Sequence, residues 1–223
     1  KNILRDTPWG KLKYIDYKKK IEFGREEYQF LYDIAQKNNI ELFFSVWDEV
    51  SLEFALQFKS NYIKIPSALC TNTTLIEKAK ESGRIIIIST GMTEWNDILN
   101  VVQIFVDSPN QLILMHCVSE YPTTNSYLGT INKLKQIHPH VGYSSHDIND
   151  YHIISAVTLG STIIEKHFTL DKKLWGTDQK ISHTPVELKK MVEAIDDIES
   201  NLKSKNGITN QEIPNLEKLR YDK

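Results

Sequence analysis

Cysteine is scarce: there are two, Cys70 and Cys117, in 223 residues. So few thiols build no disulfide framework and fit a reducing compartment. A surplus of one charge is also missing. The chain has 27 Lys and Arg against 29 Asp and Glu, a net charge of −2, and its one basic block is Lys18-Lys19-Lys20. Without a strong positive field, no nucleic-acid partner is expected. No apolar run approaches the ~20 residues of a membrane span, and KNILRDTPWG does not read as a signal peptide. A Gly-rich GxGxxG turn is absent, which argues against a dinucleotide fold. At 40% hydrophobic and 25% charged residues, the composition is that of an ordinary globular protein of one or two domains. A cytoplasmic enzyme or binding protein with no membrane partner is the expectation.

What is present is a rhythm. Short β-branched or aromatic runs recur at ELFFSV (41–46), NYIKI (61–65), RIIIIS (84–89), QLILMHC (111–117), HVGYS (140–144) and STIIEKHF (161–168), their starts 20 to 29 residues apart. Helix-length segments with apolar residues three and four apart lie between them, such as WNDILNVVQIF (95–105) and YHIISAVTL (151–159). Near-continuous apolar strands alternating with amphipathic helices predict βαβ units and a parallel sheet. The first 40 residues offer no convincing strand. REEYQFLYDIAQKN (25–38) reads as a helix with Phe30, Leu31, Ile34 and Ala35 inward. A last long helix is expected from about Pro185, well placed in a first turn, to about Lys203. The segment after Asn206-Gly207 is polar and reads as a linker.

An open doubly wound sheet and most of a (β/α)8 barrel both fit this rhythm. Polar residues at nearly every strand exit favour the barrel, whose active site gathers side chains from several strand ends. Six of eight βα units would be present. The exits read SVWD (45–48), KIPSA (64–68), STGM (89–92), HCVSEYP (116–122), YSSHD (143–147) and EKHFT (165–169), followed by WGTDQK (175–180). His146 and His167 are 21 residues apart, about one βα repeat. They would project from neighbouring strand ends, either as a pair for a divalent cation or as hydrogen-bonded structural residues. Asp178 or Glu165 could add a ligand or support one. Lys64 and Ser67 flank Pro66; the lysine could bind an anion, form a Schiff base or snorkel at the surface. Ser89, Ser119 and Ser144 suit an anion near helix N-termini. Thr93 and Asp147 read as helix caps. His138 and His140 belong at the amino end of the sheet, His116 is a hydrogen-bonding candidate, and His183 is a possible mouth residue.

The ordered set KIPSA, STGM, HCVSEYP, YSSHD, EKHFTLD and WGTDQ resembles the sialic acid synthase family, which includes N-acetylneuraminate, legionaminate and pseudaminate synthases. The similarity spans roughly residues 3–200. It implies a TIM-barrel fold and a transferase reaction: phosphoenolpyruvate condenses with the open-chain aldehyde of an N-acylated mannosamine-type sugar, giving a nonulosonic acid and phosphate. It implies a divalent metal, Mn²⁺ or Mg²⁺, on His146 and His167. Lys64, Ser67, Ser119 and Ser144 would contact phosphoenolpyruvate, Tyr121 and Asp178 would face the sugar, and Glu165 would steady the metal histidine. It also implies a homodimeric parent.

The sequence departs from the family pattern at Leu69, where many members carry an acidic residue. The family's first two strands and its C-terminal antifreeze-like domain have no counterpart here. The reading is therefore residues 1–203 as a partial barrel and 204–223 as a linker, with weak or no activity expected of this chain alone. Two rival functions are a lysine Schiff-base aldolase using Lys64 and a truncated, non-catalytic sugar-binding module.

Overall fold

A computed structural model describes residues 3–221. The chain opens, contrary to expectation, with a hairpin: β1 (Leu4–Thr7) pairs antiparallel with β2 (Gly10–Lys13). Its strands are too short and too polar to show an alternating pattern. The turn makes it, with Gly10 at φ +91° and Thr7 Oγ1 donating to the Gly10 carbonyl at 2.6 Å. Helix α1 (Tyr14–Ile21) follows directly. Helix α2 (Arg25–Lys37) lies where the periodicity predicts it, but only Ala35 of the expected inward set is buried. Phe30, Leu31 and Ile34 are exposed. The helix carries a second apolar stripe, and Tyr28 packs edge-on against Phe44 and Phe54 while Tyr32 meets Phe58. These aromatic partners decide which stripe turns inward.

Five parallel strands form the main sheet in the order β3 (Tyr62–Ile65), β4 (Ile85–Ser89), β5 (Leu112–His116), β6 (Val141–Ser145) and β7 (Ile164–Lys166). The predicted first strand, ELFFSV, contributes an isolated parallel bridge from Ser45 to Lys64, with Val46 N–H donating to the Lys64 carbonyl at 2.9 Å. Helices α3 (Glu49–Ala55), α4 (Thr73–Glu81), α5 (Trp95–Ile104), α6 (Gly129–Lys135) and α7 (Tyr151–Thr158) intervene, and α8 (Pro185–Asn201) follows the last strand. A capping box between Thr184 and Glu187 starts α8. The polar segment expected as a linker holds a short helix, α9 (Ile213–Leu219).

Strand order equals chain order, so there is no switch point of the doubly wound kind. Right-handed crossovers then place the helices on one face. The core shows it: Ile63, Ile65, Ile86, Ile88, Leu112, Leu114, Val141 and Tyr143 pack with Leu75, Ile76, Val101, Ile131, Leu134 and Ile153 in one cluster. Alternate residues point to the other, concave face. There Tyr62, Ile85, Ile87, Ile113, Met115 and Ile163 form a second apolar layer. The curl is measurable. Lys64 on β3 reaches Glu165 on β7 at 3.3 Å, although four strand spacings in a flat sheet would put them roughly 19 Å apart. The sheet is a parallel, curled half-barrel with helices outside and a lined concavity inside.

Gly142 faces that concavity. A Cβ there would lie 2.4 Å from Met115 Sδ and 2.6 Å from the Ile163 carbonyl oxygen, and the backbone atom cannot swing away. Gly142→Ala should therefore destabilise the fold by about 1–3 kcal/mol, read from the midpoint of a urea titration; an unchanged midpoint would contradict this packing.

Two buried histidines tie the sheet to its surroundings. His116 Nε2 donates to the Ser126 carbonyl and His138 Nε2 to the Leu112 carbonyl, both at 2.7 Å. His138 thus sits at the amino end of the sheet, as expected. Burial pushes both imidazoles below their ordinary value, against the pull of the carbonyls they face. As pH falls, the unfolded chain takes up these protons first, near its value of about 6.5. Stability is then full above that pH and is lost as pH drops toward the lowered folded values. The melting temperature should fall between about pH 7.5 and pH 5.5, and His138→Gln should flatten the slope; a wild-type curve already flat over that range would rule this out.

Candidate active site at the carboxyl edge of the sheet

The concave face changes character along the strands. Above its apolar layer the same inward positions carry Lys64, Ser89, Ser144 and Glu165, with His146 and His167 just beyond the ends of β6 and β7. Each exit is held by the next one. His146 Nδ1 donates to the Val118 carbonyl at 2.7 Å, which leaves Nε2 as the free lone pair of the neutral ring. Burial lowers the pKa of His146 and His167 adds to the effect, against the Val118 carbonyl and Glu165. The two imidazoles lie 5.5 Å apart between centroids, at 67°. Tyr121 closes over them, 4.1 Å from the His146 ring and 6.0 Å from that of His167. Asp178 Oδ2 stands 3.9 Å from His167 Nδ1. Burial raises the pKa of Tyr121, as do Cys117, Asp178 and Glu165 nearby, so the phenol stays a hydrogen-bond donor.

A second group lies beside the first. Lys64 is buried; its ammonium donates to Ser89 Oγ at 2.7 Å and pairs with Glu165 Oε2 at 3.3 Å. Glu165 Oε2 is itself buried and accepts no hydrogen bond. Ser67 Oγ accepts from Gly91 N–H at 3.1 Å and touches Cys117 Sγ at 3.1 Å. A Cβ on Gly91 would lie 2.3 Å from Ser119 Oγ, 2.8 Å from Cys117 Sγ and 2.9 Å from Ser67 Oγ, so only glycine leaves these three groups their places. Ser144 is buried and pairs in register with Glu165, between the two groups. The residues expected at the site, Lys64, Ser67, Ser119, Tyr121, Ser144, His146, Glu165, His167 and Asp178, thus share one end of the sheet and one face of it.

Several expectations do not hold. Asp147 is not a helix cap. It is buried and accepts from Tyr143 Oη, Ser126 Oγ and Ser145 Oγ, with His152 Nδ1 at 2.8 Å. Burial raises its pKa, but the donors Ser126 and Tyr143 and the imidazole of His152 outweigh that and hold it low. Lys166 donates to the Asp147 carbonyl and to Ser145 Oγ, tying the end of β6 to that of β7. Sequence offered no cue for this hub, because its members come from four separate segments. Thr93 does not cap α5 either: its hydroxyl donates to the Gly91 carbonyl at 3.1 Å, and Glu94 holds the cap position. His183, expected as a mouth residue, is enclosed rather than open to solvent. Its N–H donates to the His167 carbonyl at 2.7 Å and its ring meets Asp150 at 2.7 Å. The run of hydroxyls hid Cys117, which the structure places against Ser67.

Among the described residues, no group of three or more His, Cys, Asp or Glu side chains could hold a metal ion. No helix among them is long and apolar enough to cross a membrane.

Known proteins resemble this chain in sequence and in fold. A sequence profile of the NeuB family matches residues 1–207. The N-acetylneuraminate-9-phosphate synthase of Drosophila melanogaster is 36% identical over 200 residues, covering 87% of this chain and 54% of that protein. The N,N'-diacetyllegionaminic acid synthase of Legionella pneumophila is 33% identical over 83% of this chain and 54% of its own length. The chain spans about half the length of these curated relatives. Among solved structures, the N-acetylneuraminic acid synthetase of Leptospira borgpetersenii superposes with a TM-score of 0.81 at 35% identity, covering 90% of this chain and 73% of that one. A Thermotoga maritima phospho-2-dehydro-3-deoxyheptonate aldolase, at 16% identity and a TM-score of 0.70, shares the fold. By the match along nearly its whole length and by its identity to these synthases, the chain belongs to the NeuB family.

Proposed function

We propose that this chain is the barrel domain of a cytoplasmic, homodimeric nonulosonic acid synthase, which condenses phosphoenolpyruvate with the aldehyde of an N-acylated mannosamine-type sugar and releases phosphate. One observation supports this above others: a paired imidazole site capped by Tyr121 and Asp178 lies directly beside a buried lysine and a serine cradle. The first group suits a polar sugar end and the second an anion.

The donor set fits a divalent ion only as an open site. His146 presents an unprotonated Nε2 and is fixed through Nδ1 by a backbone carbonyl, the usual support of a metal histidine. His167 supplies the second ring, and the remaining positions would be filled by water or substrate. Mn²⁺ or Mg²⁺ held there would polarise the sugar aldehyde.

The side chains do the rest. The Lys64 ammonium and the hydroxyls of Ser67, Ser119 and Ser144 hold the carboxylate and phosphate of the enol ester. Tyr121 and Asp178 orient the sugar so that its aldehyde carbon faces C3 of the enol. The enol C2–C3 π pair forms the new C–C bond between these two carbons and leaves C2 electron-poor, while the aldehyde oxygen takes up a proton from solvent. Water adds to C2, and its proton passes to Glu165, whose buried Oε2 accepts no hydrogen bond and lies 3.3 Å from the Lys64 ammonium. Collapse of the adduct breaks the C2–O bond and expels phosphate. Leu69 cannot share this work: it packs against the hydrophobic core. Glu165 is therefore the acid–base group at the site.

The test is phosphate release from phosphoenolpyruvate and a panel of N-acyl mannosamines, in a protein containing this chain. His146→Ala and His167→Ala should each lower the rate by about 100-fold or more, chelator should abolish it and Mn²⁺ restore it. Borohydride with substrate should leave Lys64 unmodified. Covalent trapping on Lys64 with indifference to chelator would replace this reading with the Schiff-base aldolase, and sugar binding without phosphate release would replace it with a binding module.

A further inference from the structure

Asp178 rides on a loop, residues 171–181, that has no regular secondary structure. Its base is well tied. Lys173 N–H donates to Asp171 Oδ1 at 2.9 Å, Ser182 Oγ to the Asp178 carbonyl at 2.8 Å, and Gln179 Nε2 to the Trp175 carbonyl at 3.3 Å. Its crest, Leu174 to Thr177, is held differently. Tyr17, from the far end of the sequence, sets its ring 5.3 Å from that of Trp175 at 80°, and Trp9 sits 6.5 Å from Trp175 at 66°. Both are edge-to-face contacts of the favourable kind. Tyr17 is buried, and Tyr14 packs on it at 6.1 Å. Cations back the cluster: Lys20 Nζ lies 5.2 Å over Trp9, and Arg5 Cζ lies 4.6 Å over Tyr14. The unexpected hairpin and α1 therefore end in an aromatic clasp on the loop that bears Asp178.

We propose that the segment 4–21 is a latch for this loop, with Trp9, Tyr17 and Trp175 as positioning residues that hold Asp178 beside His167. The functional part of the proposal rests on the sugar-facing role given to Asp178. Trp175 reaches the site through its own loop: its carbonyl holds Gln179, next to Asp178, and the Asp178 carboxylate is 3.9 Å from His167. Lys64, Ser67 and Ser119 stand on other strand exits and do not belong to this chain of contacts. The latch thus governs the affinity for the sugar and leaves that for phosphoenolpyruvate alone. It is also a separable device, because Trp9 is half exposed and lies outside the core of the sheet.

Hydrogen exchange of the whole chain tests the mechanical part without any assay of turnover. Trp9→Ala should speed exchange of the 174–180 amides about five- to tenfold, since one aromatic pair is lost. Exchange in β5 and β6 should not change, and Trp9→Phe should restore the loop. Trp175→Ala should repeat the effect more strongly. Unchanged loop exchange in both alanine variants, or exchange raised alike in β5 and β6, would overturn the latch. In the synthase assay Trp9→Ala should raise the KM for the sugar about five- to tenfold at constant KM for phosphoenolpyruvate. A loosened loop with both KM values unchanged would overturn the sugar-facing role of Asp178. A wild-type protein that releases no phosphate would overturn the proposed reaction, and the exchange experiment would still decide the latch.

Discussion

The curl of the parallel sheet is the constraint on which everything else depends. Five strands in chain order, each joined to the next by a crossover of the same hand, put all their helices on one side. Apolar side chains packed on that one face bend the sheet around the other. The contact between Lys64 and Glu165 is a consequence of the bend rather than its cause. An ion pair with a partly exposed carboxylate contributes little to stability. Its information is geometric: residues on the first and last strands of the sheet share one small space.

Within that space the chemistry is layered. The lower inward positions are filled by isoleucines, Met115 and the ring of Tyr62, a mainly apolar layer. The upper positions are polar, and nearly every one is anchored to a neighbouring exit. His146 is held by the loop after β5, Ser67 by the turn after β4, and Lys64 by Ser89 and Glu165. On the helix-covered side, the buried Asp147 carboxylate and the Lys166 ammonium join the exits of β6 and β7. Such an arrangement sets the two imidazoles before any ligand arrives, which is how a site limits the reorganisation that binding demands.

Leu69 shows how far a family pattern carries. The segment around it keeps Ser67 and the buried Lys64. The position itself is turned to the hydrophobic core. Glu165, by contrast, lies on the concave face beside Lys64.

The amino-acid order by itself determined the alternation of strands and helices, because apolar periods of two and about four residues are local properties. It placed α2, α5, α7 and α8 to within a few residues, and it put functional side chains at strand exits. It also named side chains at strand exits that the fold brings to one end of the sheet, since a strand end is a fixed address in a parallel sheet. Tertiary structure alone decided the rest. Which stripe of α2 faces inward depended on Phe44, Phe54 and Phe58. The clasp of Trp9 and Tyr17 on Trp175, and the hub at Asp147, join segments with no periodic relation to one another. Such contacts carry no trace in sequence spacing, because they are set by how the chain returns upon itself, and that path is fixed only once the sheet has curled.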